Sequence, residues 1–126
     1  MDKIEYKLEF PIRASAPLLY NYLSTPDGLS EWFADNVNSR GEKFYFIWEG
    51  SEESATLLSK KNNSFIKFKW DEQEDENTFF EFRIEIEEIT KDVSLMVTDF
   101  ADKDELEEAK MLWESQINDL HHIIGG

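Results

Sequence analysis

The chain has 126 residues and a formal net charge of −15 at pH 7, because 28 Asp and Glu outnumber 13 Lys and Arg. This charge repels nucleic-acid phosphates and anionic lipid surfaces, so it argues against nucleic-acid binding and against stable membrane association. The sequence has no cysteine, which excludes disulfides and thiolate metal sites, and no stretch approaches the ~20 apolar residues of a membrane span. We therefore expect a cytoplasmic protein that folds as a single domain over residues 1–126.

The N-terminal quarter of the chain predicts one strand followed by two short helices. Apolar and polar residues alternate strictly over residues 4–12, which is typical of a strand with one buried face. Residues 15–24 then predict a helix that Ser15 caps. Residues 25–28 are expected to form a turn, and residues 29–33 a second short helix.

The middle of the chain predicts an antiparallel sheet, because short turns separate consecutive apolar runs. The predicted strands cover residues 36–38, 44–48, 55–59, 66–70, 80–86 and 93–100. The loop at residues 71–77 is almost entirely acidic. It lacks the glycine and the ligand spacing of an EF-hand, so a solvated hairpin loop is favoured over a calcium site.

The C-terminal segment, residues 102–126, predicts one long amphipathic helix. Asp102 is the expected N-cap with Glu105 as its capping-box partner, and Gly125 and Gly126 are expected to end the helix. The buried stripe consists of Leu106, Ala109, Trp113, Gln116, Ile117, Leu120 and Ile124, and Leu112 and Ile123 are expected to widen it. Such a helix needs a concave sheet to pack against. The predicted class is therefore α+β, with a curved antiparallel sheet of about six to seven strands wrapped on the helix.

Four stretches of the sequence resemble one known family. They are residues 10–15 (FPIRAS), residues 20–33 (YNYLSTPDGLSEWF), residues 46–50 (FIWEG) and residues 112–120 (LWESQINDL). Their order and spacing are similar to those of the activator-of-Hsp90-ATPase-homologue-like branch of the START/Bet v 1 (SRPBCC) superfamily. The resemblance implies the helix-grip fold, with a cavity between sheet and helix that often holds a hydrophobic ligand.

Aromatic side chains are the main candidates for a binding site, since the chain contains 10 Phe and 4 Trp. Apolar walls with a few polar groups are what a small-molecule pocket requires, although for any single ring plain core packing is the favoured interpretation. Gln116 joins the set because a polar group on the buried stripe needs a hydrogen-bond partner. The candidate ligand-binding residues are Trp32, Phe33, Phe46, Trp48, Phe68, Trp70, Phe80, Phe82, Trp113 and Gln116.

No catalytic or metal-binding motif stands out. His121 and His122 are adjacent on the helix and point about 100° apart, so they cannot chelate one metal as a pair, and we expect neither a metal nor a cofactor. Arg83 shares strand parity with Glu81 and Glu85, which predicts a solvent-facing ladder of ion pairs. There is no nucleophile elbow and no phosphate-binding glycine loop.

Three functions are compatible with these patterns. The favoured one is a non-enzymatic domain, monomeric or weakly dimeric, that holds a lipid or polycyclic molecule between sheet and helix. The second is an acidic protein-interaction or chaperone-cofactor-like domain with a filled core. The third is a cyclase or isomerase, which would require an ionisable group with a shifted pKa on the cavity wall.

Overall fold

The computed structural model describes residues 3–75 and 77–125, which form seven strands and three α-helices. The strands are β1 (Lys3–Ile12), β2 (Asn36–Arg40), β3 (Lys43–Trp48), β4 (Ser51–Lys61), β5 (Phe65–Trp70), β6 (Phe80–Ile86) and β7 (Val93–Asp102). They make one curved antiparallel sheet in the order β1-β7-β6-β5-β4-β3-β2, so the first strand pairs with the last. The predicted α+β helix-grip class and the antiparallel meander are confirmed.

The helices are α1 (Ala16–Ser24), α2 (Pro26–Trp32) and α3 (Leu106–Ile124). The side chain of Ser15 caps α1 as predicted, because its Oγ accepts the N–H of Leu18 at 3.3 Å. None of these helices is both long and apolar enough to cross a membrane.

The predicted turn at residues 25–28 is wrong, since these residues begin α2. Thr25 caps this helix by accepting the N–H of Gly28 at 2.9 Å, and Pro26 occupies its first turn. Thr followed by Pro is typical of a helix start as well as of a turn, and here the two residues begin a helix. Phe33 becomes the C-cap of α2.

Gly28 is required by the close approach of α1 and α2. A Cβ at this position would lie 2.2 Å from the carbonyl oxygen of Asn21 and 2.7 Å from the Cα of Tyr22. Both distances are far below van der Waals contact, so only glycine allows the two helices to pack at this distance.

Three strands run at least two residues further than hydrophobicity alone predicted. β2 continues to Arg40, β4 spans Ser51–Lys61 and β7 continues to Asp102. Backbone ladders extend through exposed polar residues because every residue can pair, whatever its side chain. Consistent with this, the β3–β4 hairpin turns on only Glu49 and Gly50, both at positive φ.

The start of α3 also differs from the prediction. The chain enters this helix through a 3-10 turn at Lys103–Glu105, and neither Asp102 nor Glu105 makes a side-chain cap hydrogen bond. Asp102 instead ends β7, opposite Lys3, and its carboxylate lies 3.6 Å from the Lys3 ammonium. Gly125 ends the helix in the left-handed conformation, and its N–H donates to the carbonyl of His121 at 3.0 Å. The other predicted stop, Gly126, lies outside the described residues.

The core lies between the sheet and the three helices. Trp113, Ile117 and Leu120 of α3 are buried against it, which confirms the predicted stripe. Leu112 and Ile123 do not widen the buried face, because they are 62% and 38% exposed. α3 therefore buries a narrower face than predicted, and the side chain of Leu112 lies outside the core.

Candidate ligand-binding cleft

A cleft of about 520 Å³ lies between α3 and the sheet. The helix contributes four side chains to it: Ala109, Leu112, Trp113 and Gln116. These positions are spaced by three and four residues, so they share one face of α3. The N-terminal half of α3 therefore covers a space, whereas Ile117 and Leu120 in its C-terminal half are buried in the core.

The sheet supplies the opposite wall. Tyr6 of β1 and Asp99 of β7 are direct cross-strand partners, and both reach the cleft. Trp48 at the end of β3 and Trp70 at the end of β5 also line it, and their ring centroids are 6.1 Å apart. Both indoles are only half-buried, so each presents part of its surface to the cleft.

Asp99 forms the polar centre of the cleft. Its Oδ2 accepts hydrogen bonds from Trp113 Nε1 at 3.0 Å and from the Tyr6 hydroxyl at 3.4 Å. Its Oδ1 accepts the backbone N–H of Phe100 at 2.8 Å. Burial raises the pKa of the Asp99 carboxyl above its ordinary value, although these three donors and Lys3 oppose the shift. Burial and the neighbouring carboxylate likewise raise the pKa of Tyr6.

The carbonyl oxygen of Phe33 organises a second polar point. It accepts from Trp48 Nε1 at 2.8 Å and from Gln116 Nε2 at 3.0 Å. The side chain of Gln116 is thereby held by the protein, with its amide oxygen left over to accept a further bond. The C-terminal end of α2 thus fixes one indole and the amide of the cleft.

Trp70 differs from the other three tryptophans. The indole N–H groups of Trp32, Trp48 and Trp113 all donate to protein oxygens, at 2.8, 2.8 and 3.0 Å. Across residues 3–75 and 77–125, the N–H of Trp70 has no hydrogen-bond partner. Its ring is fixed by stacking on Phe80, with centroids 4.8 Å apart. Trp70 also lines the cleft, so its indole N–H is a candidate donor to a ligand there.

The family model for the START-like superfamily domain matches residues 1–126 of the chain. The protein is a member of the START-like superfamily. The protein BfR322 from Bacteroides fragilis is 34% identical, with a TM-score of 0.70, and the match covers 98% of this chain and 92% of that chain. No match exists among the curated proteins.

Two further solved structures are similar to this START-like domain in fold. The Aha1 dimer from Colwellia psychrerythraea is 18% identical, with a TM-score of 0.81 and 96% coverage of both chains. CalU16 from Micromonospora echinospora is 16% identical, with a TM-score of 0.76, and the match covers 97% of this chain and 76% of that chain. At these identities the likeness shows the shared fold alone.

The START-like domain divides the ten predicted ligand-binding residues into two groups. Those that line the cleft are Phe33, Trp48, Trp70, Trp113 and Gln116. Those that pack in the core without lining it are Trp32, Phe46, Phe68, Phe80 and Phe82. The second group still supports the first, because Phe46 contacts the rings of Trp48 and Trp70 at centroid distances of 6.0 and 5.4 Å.

Sequence reasoning missed the polar members of the site, above all Asp99 and Tyr6. For both residues, the position in the alternating strand pattern indicates a side chain that faces the interior. Asp99 has the parity of the buried Leu95 and Val97 on β7, and an acidic residue at an inward position is unusual. Tyr6 belongs to the predicted buried face of β1, but its cross-strand pairing with Asp99 depends on the β1–β7 register, which sequence alone does not give.

Other charged groups of the START-like domain form contacts outside the cleft. Arg83 makes two hydrogen bonds to the carboxylate of Glu81, at 3.1 and 3.2 Å, as the predicted ladder requires. His121 lies 2.9 Å from the carbonyl of Pro11, and His122 lies 2.9 Å from that of Asn118. Each histidine is thus held by a different backbone carbonyl.

The acidic loop is anchored at its beginning, although Glu76 within it lies outside the described residues. The carboxylate of Asp71 accepts from Lys43 Nζ at 2.7 Å, from Ser54 Oγ at 2.6 Å and from Thr56 Oγ1 at 2.7 Å. Desolvation opposes the charged form, but these hydrogen bonds outweigh it and lower the pKa of Asp71 to about 2. The anchor holds the loop where Glu72 and Gln73 reach the rim of the cleft.

Proposed function

We propose that this START-like domain is a non-enzymatic protein that binds a hydrophobic small molecule in the cleft between α3 and the sheet. The observation that carries the proposal is the aromatic cleft itself, whose walls include the half-buried rings of Trp48 and Trp70. Small-molecule sites commonly have volumes of about 300–1,000 Å³, and this cleft lies within that range.

The distribution of polar groups supports binding over simple packing. A ligand site needs an apolar wall for affinity and a few fixed polar atoms for orientation. The N–H of Trp70 and the second amide atom of Gln116 provide such atoms, and both side chains are held by neighbouring protein groups. Fixed side chains lose little conformational entropy when a ligand binds.

The shape of the site favours a flat polycyclic molecule over a long acyl chain. Protein side chains fill the core and leave no room there for a ligand. Four of them are fully buried and contact one another: Phe46, Phe68, Phe80 and Phe82. A ligand is therefore limited to the space near the N-terminal half of α3, between indole rings. Stacking on Trp48 and Trp70 suits fused rings.

The proposal is tested by titrating the protein with 2-naphthylmethanol, a neutral fused-ring probe, in isothermal calorimetry. We expect saturable binding with a stoichiometry of one. The variant Ala109→Phe places a ring in the cleft and should abolish binding, whereas Met111→Phe, on the same helix at a side chain 66% exposed, should bind like wild type. Equal binding by both variants, or no saturable binding by wild type, would overturn the proposal.

A natural ligand is sought by native mass spectrometry of protein purified from its own cells, beside its denatured mass. A mass excess that disappears on denaturation would identify a retained small molecule by size. The same measurement on Ala109→Phe provides the control, since a cleft ligand should be absent from that variant.

A second candidate is acid–base catalysis of the isomerase or cyclase type, and Asp99 is the observation that favours it. The carboxyl is buried in the cleft wall with a raised pKa, which is the environment of a general base. However, both its oxygens already accept hydrogen bonds from the protein, which lowers their basicity. Asp99→Asn with unchanged ligand affinity but lost turnover of a bound ligand would favour the enzyme over the binding protein.

A further inference from the structure

The charges around the cleft are all of one sign. Asp99 lies in the wall, Glu53 of β4 and Glu72 of the acidic loop lie at the rim, and Gln73 is the neutral neighbour. Among the described residues that line the cleft, none is Lys, Arg or His. Any ionised ligand therefore enters a site lined by three acidic residues and by no basic side chain.

Lys3 does not line the cleft, although its charge favours the ionised form of Asp99. Lys3 shares with Asp99 and Trp70 a separate space of about 10 Å³, roughly enough for one water molecule. Its ammonium lies 3.6 Å from the carboxylate of Asp102, which already balances it. The overall charge of −15 adds a long-range field of the same sign as the cleft.

The aromatic walls add a second attraction for a positive charge. Indole rings carry negative potential on their faces and are the strongest cation–π partners among the side chains. Three of the four tryptophans, Trp48, Trp70 and Trp113, line this cleft. A cation here would be attracted both by rings and by carboxylates, while the hydrophobic part of its molecule contacts the rings.

The contacts of Asp99 also leave it able to accept a hydrogen bond from a ligand. Its neighbours in the structure donate to it from Tyr6, Trp113 and the Phe100 backbone. Three donors stabilise the ionised carboxylate against the burial that disfavours it. A carboxylate offers about four acceptor positions and these donors use three of them, so Asp99 can also accept a hydrogen bond from a ligand.

We infer that the cleft selects hydrophobic molecules carrying a protonated amine over their neutral and acidic analogues. This inference rests on the proposed function, because it names the chemical class of ligand for the same site. The amine would be recognised by the carboxylates and indole faces, and the hydrocarbon part by the aromatic walls.

Three probes of one scaffold test the inference by calorimetry at pH 7: 2-naphthylmethylamine, 2-naphthylmethanol and 2-naphthoic acid. They are cationic, neutral and anionic, with nearly the same hydrocarbon area. We expect the amine to bind at least tenfold more tightly than the alcohol, and the acid to bind most weakly. An alcohol that binds as tightly as the amine would overturn the inference and leave the proposed function standing, whereas failure of all three probes would overturn both.

Two charge-matched variants separate the cleft from the general field of the protein. The double variant Glu53→Gln/Glu72→Gln removes two charges at the rim. The control Glu87→Gln/Glu88→Gln removes two exposed charges at the β6–β7 turn, at the opposite end of the sheet from the acidic loop. We expect the rim variant to lose at least threefold in amine affinity relative to its own alcohol affinity, and the control variant to keep the wild-type ratio of the two affinities. Equal losses in both variants would assign the preference to net charge and overturn the inference.

Discussion

Two regions of the START-like domain use aromatic side chains in opposite ways. In the closed region, defined by Phe44, Phe46, Phe68, Phe80 and Phe82, every ring is buried and contacts other rings of the set. In the cleft, the rings of Trp48 and Trp70 keep one partly free surface. The same residue class therefore stabilises the fold in one region and lines a space in the other, depending on what lies opposite each ring.

Trp32 and Trp70 show the difference most clearly. Trp32 is 5% exposed and donates its N–H to the carbonyl of Tyr22 at 2.8 Å, so its hydrogen-bonding capacity is used within the fold. Trp70 is half-buried and its N–H has no partner in the part of the chain that the structure describes. A satisfied buried donor indicates a structural residue, and we expect an indole of the cleft wall without such a bond to contribute to binding.

The largest expected effect is loss of stability in the closed region. Phe46→Ala should lower the free energy of unfolding by about 3–5 kcal/mol, because the ring is fully buried among aromatic neighbours. Leu112→Ala is the matched change in the cleft and should cost less than about 1 kcal/mol, since this side chain is 62% exposed. Urea denaturation measures both, and equal losses would contradict the division into two regions.

A second effect tests the helices that cover the closed region. Gly28→Ala should destabilise the protein by about 3 kcal/mol, because the new methyl group clashes with the backbone of α1 rather than with a movable side chain. Gly41→Ala is the control, since its Cβ would meet nothing within 4 Å and the cost arises only from its positive φ. A smaller loss for Gly28→Ala than for Gly41→Ala would show that α1 and α2 separate easily.

The matched pair Trp32→Phe and Trp70→Phe sharpens the comparison directly. Trp32→Phe leaves the Tyr22 carbonyl without its donor and should cost about 2 kcal/mol of stability, with unchanged binding of 2-naphthylmethanol. Trp70→Phe should change stability by less than about 1 kcal/mol, since no internal hydrogen bond is lost, but weaken binding several-fold. Thermal unfolding and calorimetry on the same samples provide the two readouts. Weakened binding in Trp32→Phe together with unchanged binding in Trp70→Phe would contradict the roles assigned to the two indoles.

The smallest expected effect concerns the anchor of the acidic loop. The folded-state pKa of Asp71 is about 2, below its ordinary value, so its contribution to stability is complete above that ordinary value and is lost as pH falls toward about 2. Asp71→Asn should remove about 1 kcal/mol at pH 7 and flatten this part of the acid-unfolding profile. Glu88→Asn, at an exposed site, is the control. An unchanged profile in the Asp71 variant would show that the anchor carries no stability.

The sequence predicted the elements with strong periodicity and missed what depends on pairing. The alternation over residues 4–12 was sufficient to predict strand β1, and the apolar stripe was sufficient to predict helix α3, because each pattern arises when one face of an element is buried. The start of α2 was not predicted, since Thr25 and Pro26 suit a turn and a helix equally well. The N-cap at Asp102 was wrong because β7 continues by pairing with β1, a contact between residues nearly one hundred positions apart.

The candidate site was predicted by residue type but not by position. Phe82 and Trp70 both occupy apolar positions of alternating strands, yet Phe82 lies in the core and Trp70 lines the cleft. That outcome depends on where α3 passes over the sheet. Asp99 was detectable by its strand parity with Leu95 and Val97. Its donors Tyr6 and Trp113 come from distant elements, so the polar centre as a unit required the fold.

The central claim, that a hydrophobic molecule binds between α3 and the sheet, is tested most directly by the four indole N–H signals in a ¹H–¹⁵N correlation spectrum. Each signal can be assigned by a Trp→Phe variant, and 2-naphthylmethanol is then titrated to saturation. The structure predicts the largest shift for Trp70, smaller shifts for Trp48 and Trp113, and the smallest for Trp32, which does not line the cleft. A shift of Trp32 equal to that of Trp70, or no saturable shift of any indole, would contradict the claim.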